Sequence, residues 1–73
     1  MIHITKHALE RFKERYKRKF DSLPRNICRT MRHMFEESYC IERKENIQKY
    51  LYNDMFEFVV DRNKIITFID KAA

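Results

Sequence analysis

The side chains with chemistry to offer are unevenly placed along the chain. Three histidines stand at positions 3, 7 and 33, and two cysteines at 28 and 40. The first 33 residues are rich in lysine and arginine, among them Arg11, Lys13, Arg15, Lys17, Arg18, Arg25, Arg29 and Arg32. A histidine can take or give a proton near neutral pH, and an arginine presents a fixed fork of donors to a phosphate. Together they suit metal-free cleavage of RNA. A base removes the 2′-hydroxyl proton, cations neutralise the charge gathering on phosphorus, and an acid protonates the leaving oxygen. His7 is the candidate base, and Arg11 and Arg15 are the candidate phosphate forks. The plainer reading of the same residues is a solvated helix face, with His7 at the surface and the arginines in ordinary helix-surface pairs.

A metal is the other chemistry that His and Cys permit. His3, His7, Cys28, His33 and Cys40 are ligand types that zinc takes, but Cys28 and Cys40 stand too far apart in sequence to form a tight Cys-x-x-Cys knuckle. The expectation is therefore packed, reduced thiols, with no metal and no cofactor. Residues 1–5 lack the apolar core of a signal peptide, and no window approaches the roughly 18 consecutive apolar residues of a membrane span. A cytoplasmic location without a membrane partner is expected.

The elements that must position these groups belong to a small fold. With 73 residues the chain makes one domain over 1–73, which excludes a multidomain enzyme, and 44% hydrophobic residues, with six Phe and four Tyr, exclude disorder. The net charge of +5 is concentrated. Residues 1–33 hold ten basic side chains against three acidic ones, a local charge of +7, whereas residues 34–73 hold six against eight. A one-sided basic character is what a face meeting phosphates requires.

Thr5 can cap a helix in which Leu9, Phe12, Tyr16 and Phe20 form an apolar stripe. At about 100° per residue, His7, Arg11, Glu14 and Arg18 fall on the other side, flanked by Arg15. Asp21-Ser22-Leu23-Pro24 ends this helix, and Ser22 is the expected N-cap of a second, with Pro24 in its first turn. Ile27, Met31, Met34, Phe35 and Ser38 continue the helical period to about residue 39. Beyond it the period falls to two, over residues 39–43, 47–52, 55–60 and 65–69. The chain has no glycine, so left-handed turn positions call for Asn or Asp, and Asn46, Asn53, Asp54 and Asn63 stand ready. Residues 1–4 are a candidate short edge strand. The pattern predicts an α+β fold, a two-helix hairpin packed on a four-stranded, mostly antiparallel sheet. Leu9, Phe12, Ile27, Met31, Phe35, Phe58, Val60 and Ile65 are its expected core.

Ile4-Thr5-Lys6-His7-Ala8-Leu9-Glu10-Arg11-Phe12, followed by Glu14-Arg15, resembles the opening T-x-H-A-x-x-R-x-x-x-R pattern of a small prokaryotic and phage domain family of unknown function. That family is grouped with RelE/ParE-like toxins. Phe58-Val59-Val60-Asp61 and Lys64-Ile65-Ile66-Thr67-Phe68-Ile69 resemble its closing hairpin, in which a Thr follows an apolar run. The order of two helices and then a meander is also similar to the RelE/ParE toxins and the wider colicin D-like ribonucleases. The likeness touches about a third of the chain. It departs from the family in its arginine-rich second helix and its lack of Gly turns, and RelE's own catalytic set finds no match here. The resemblance implies a RelE-like fold and a metal-independent endoribonuclease acting on RNA, free or on the ribosome. It implies His7, Arg11, Arg15 and Thr67 as the site, and a cognate antitoxin as partner. Tyr50, Tyr52 and Arg62 are further strand residues that could complete that site.

Two other functions fit the same residues. One is a non-catalytic regulator that binds RNA or DNA through Lys13, Lys17, Arg18, Arg25, Arg29 and Arg32. The other is a small phage-encoded protein that binds and inhibits a host protein.

Overall fold

Thr5 opens the first helix from an extended backbone, with its side chain accepting a hydrogen bond from the Ala8 N–H at 3.2 Å. Its hydroxyl also donates to the carbonyl of Ile65 at 2.9 Å, which ties the start of the helix to the last strand. In the computed structural model, which describes residues 1–71, this helix, α1, spans Lys6–Phe20. It ends at Asp21, whose left-handed backbone (φ 56°) lets its N–H reach the carbonyl of Lys17 at 2.7 Å.

The second helix, α2, spans Ile27–Glu37, and its N-cap is Asn26, not Ser22 as the sequence suggests. The Asn26 side chain accepts from the Arg29 N–H at 3.0 Å, while Ser22, Leu23 and Pro24 lie in the connection. Asn caps as well as Ser, and Asn26 stands directly before Ile27, the first apolar residue of the stripe. The helix therefore starts where its packing face starts.

Five strands follow the two helices in space: β1 (His3–Ile4), β2 (Tyr39–Lys44), β3 (Ile47–Tyr52), β4 (Phe56–Asp61) and β5 (Lys64–Asp70), in the order β1-β5-β4-β3-β2. The expected four-stranded antiparallel meander thus becomes a five-stranded mixed sheet, because β1 pairs parallel with the start of β5. The His3 N–H donates to Asn63 O at 2.9 Å and the Thr5 N–H to Ile65 O at 3.2 Å, so β1 satisfies an edge that would otherwise lack partners.

Left-handed backbone occurs at Asn53 and Asp54, as expected, but at Glu45 (φ 55°) and Arg62 (φ 60°) in place of Asn46 and Asn63. Lys44 pairs with Ile47 and Asp61 with Lys64, so each hairpin has two central residues, and only the first of them takes positive φ. Strand register fixes which residue comes first, and in both hairpins the Asn comes second.

Pairing places Tyr50, Phe58 and Phe68 side by side on one face of the sheet. Phe35 of α2 lies 4.8 Å from the Tyr50 ring and 5.5 Å from Phe58, and Phe12 of α1 lies 4.9 Å from Phe68. Both helices therefore cover this face. Phe12, Met31, Phe58, Val60 and Ile65 are buried as expected, joined by Ala8, Met34, Phe56 and Phe68. Leu9, Ile27 and Phe35, also expected in the core, are half-buried against it.

Candidate nucleic-acid interface

Phe12 and Ala8 turn α1 toward the sheet, which fixes where its charged residues point. Arg11, Arg15 and Arg18 fall within about 60° of one another on one flank, while Lys13 and Lys17 lie on the other, about 200° from Arg11. His7 is exposed at the second position of the helix. Arg11 Nη1 lies 2.7 Å from Glu14 Oε2, and Arg15 Nη1 lies 3.9 Å from Glu14 Oε1, so one carboxylate sits between the two candidate phosphate forks. An exposed i, i+3 pair such as Arg11–Glu14 contributes only about 0.3 to 0.5 kcal/mol, little enough for a phosphate to displace the carboxylate from Arg11. Arg15 Nη1 is shut off from solvent without a hydrogen-bond partner.

Thr67 is not brought to these residues. It pairs with Val59, one position away from the Phe58 and Phe68 pair, so alternation sends its side chain to the sheet face opposite α1. Tyr50 and Tyr52 are on the helix-covered face, and the Tyr50 hydroxyl donates to Gln48 Oε1 at 2.7 Å. Arg62 is exposed in the β4–β5 turn. His7, Arg11 and Arg15 share α1, and the strand candidates are divided between the two sides of the sheet and its end.

Arg25 is exposed in the connection between the helices, and Arg29 and Arg32 follow on α2. Asn26, Cys28, Arg29, Arg32, His33 and Glu36 line one open cleft along this helix, with Arg32 Nε buried and without a hydrogen-bond partner. Among the described residues Lys13, Lys17, Arg18, Arg25, Arg29 and Arg32 form no ion pair, in contrast to Arg11, Arg15 and Lys19, the last held 3.3 Å from Asp70. The cations assigned by sequence to binding are thus uncommitted. Those assigned to catalysis are engaged with Glu14.

No protein-family model matches the chain, and no curated protein or solved structure matches it. The likeness to RelE-like toxins rests on the residues quoted for it alone.

The remaining chemistry-bearing groups are dispersed. Cys28 and Cys40 are free and exposed, not packed as expected, because Cys28 lies beside the buried stripe of α2 and Cys40 lies on the edge strand β2. Among the described residues no three His, Cys, Asp or Glu side chains group as metal ligands. Nor is any helix among them long and apolar enough to cross a membrane. The Tyr39 hydroxyl donates to Asp54 Oδ1 at 3.1 Å, and this hydrogen bond holds the phenol above its ordinary pKa. Sequence reasoning missed the exposure of Phe20, which continues the core stripe by period but sits in the last turn of α1, beyond full cover of the sheet.

Proposed function

We propose that the protein binds nucleic acid through the outward surface of its two helices, as a basic module without a catalytic role of its own. The observation that carries this reading is the set of six uncommitted cations, Lys13, Lys17, Arg18, Arg25, Arg29 and Arg32, on a helical layer that also holds the positive half of the chain. Cations that form no ion pair among the described residues have no internal partner to give up when a phosphate arrives, and each releases a condensed counterion from the nucleic acid. A RelE-like ribonuclease acting on RNA is the second reading. It is favoured by His7 and Arg11 standing one turn apart at the exposed start of α1. The same reading takes the two helices and sheet for a RelE-like fold.

Titration of labelled RNA and DNA duplexes with the purified protein at several salt concentrations tests the proposal. Five or six phosphate contacts imply a log–log slope of about −4 to −5 on duplex. A flat salt profile, or no binding at low salt, would remove both readings and leave the chain as a binder of a host protein.

A further inference from the structure

The connection between the helices carries two apolar side chains that the core does not absorb. Phe20, in the last turn of α1, keeps 44% of its surface open, and Leu23 keeps 42%. The other five phenylalanines are buried or half-buried, so Phe20 stands apart. Its ring is not loose: it lies 4.6 Å from Tyr16 at 53° and 6.2 Å from Phe56 at 65°. An aromatic ring held from behind and open in front loses little freedom when something stacks on it.

The charge along this stretch of chain is lopsided, although Lys19, beside the Phe56 ring, is held by Asp70 at 3.3 Å. Residues 17–32 contain six basic side chains and one acidic one, Asp21, a local charge of +5 that equals the net charge of the whole chain. Lys17 of α1 lies about 60° around the helix from Phe20, whereas Arg18 lies about 160° from it. Arg25 comes from the connection and Arg29 from the first turns of α2, and among the described residues Lys17, Arg25 and Arg29 are exposed and form no ion pair. Neither the last turn of α1 nor the first turn of α2 carries an acidic residue.

We infer that this connection is a seat for single-stranded nucleic acid. A base stacks on Phe20 with Leu23 beside it, and the flanking phosphates meet Lys17, Arg25 and Arg29. The inference rests on the nucleic-acid reading above and narrows it to a substrate class. A single strand offers base faces to an aromatic platform, whereas a duplex hides them in its stack. An apolar wedge driven into a duplex is the competing use of exposed Phe and Leu. A wedge must project, and Phe20 is instead held against Tyr16 and Phe56.

The test compares affinities, by fluorescence anisotropy at one salt concentration, for single-stranded RNA, single-stranded DNA and duplex of the same sequence, each of about 12 nucleotides. The protein should prefer a single strand. Phe20→Leu keeps an apolar contact for Tyr16 and Phe56 but removes the ring face. It should weaken single-strand binding by about five- to thirtyfold and leave duplex binding within about twofold. Circular dichroism checks the fold, and Leu23→Ser, which removes no ring contact, serves as a second variant with a smaller loss in the same direction. A loss confined to RNA or to DNA single strands supports the seat and identifies the sugar it takes. Equal losses on single strand and duplex, or a tighter complex with duplex, would overturn the seat while leaving nucleic-acid binding intact. Absence of binding to every oligonucleotide would sink the nucleic-acid reading itself.

Discussion

His7 and Arg11 are separated by one helical turn, but Arg11 is held by Glu14 at 2.7 Å and Thr67 projects from the far face of the sheet. A general base works only within hydrogen-bond reach of the proton it takes, with its cations aimed at the same phosphorus. The His7→Ala variant separates the two functional readings. As part of a solvated flank, His7 should be replaceable with less than about a twofold change in affinity. As a general base it should cost about 10²- to 10⁴-fold in a metal-independent cleavage rate, measured with EDTA present on RNA alone and on ribosomes. We expect the first outcome, and cleavage that disappears in the variant would reverse the order of the readings. The excess of cations in residues 1–33 was legible in the sequence because charge counting needs no geometry, whereas which of them lack an ion pair was not. The position of Thr67 was not, since it depends on the pairing of β4 with β5 and on the register shift between Val59 and Val60.

At the level of elements, local signals with one dominant cause were readable. Thr5 precedes an apolar stripe with helical period, and it caps α1. The strand β3 falls where alternation puts it, at Ile47–Tyr52. Signals with two near-equal answers were not readable. Ser22 and Asn26 are comparable caps, and only the packing of Ile27 and Met31 chooses between them. The edge strand expected within residues 1–4 is present as β1 at His3–Ile4, but two residues are too few to show a period, and its parallel pairing with β5 was not legible. The helix most tied to the sheet is α1, through Phe12, which touches both Tyr16 (5.3 Å) and Phe68 (4.9 Å) and is wholly buried. Phe12→Ala should therefore cost about 3 to 5 kcal/mol, most of the stability available to a domain of this size. Urea denaturation measures it, and a loss under about 1 kcal/mol would mean that the site collapses to fill the cavity.

The molecule as a whole separates its charges by layer. The helices carry the excess of cations, whereas on the uncovered sheet face Lys49 is 3.6 Å from Glu42 and Lys71 is 3.4 Å from the buried Glu57. Lys44 and Lys64 belong to the strands and are exposed, as Arg25 and Arg29 are on the helical side. Two double variants can then be matched in net charge. Arg25→Ala with Arg29→Ala and Lys44→Ala with Lys64→Ala each remove two positive charges, so any long-range attraction falls equally in both. What differs is direct contact with phosphate. The helical pair should lower affinity severalfold at moderate salt and flatten the salt dependence by about 0.7 to 0.9 per lost contact, whereas the strand pair should leave the slope unchanged. Equal losses of affinity and slope in the two variants would mean that nucleic acid is drawn by net charge alone and has no preferred face, which would detach the binding function from the helical layer.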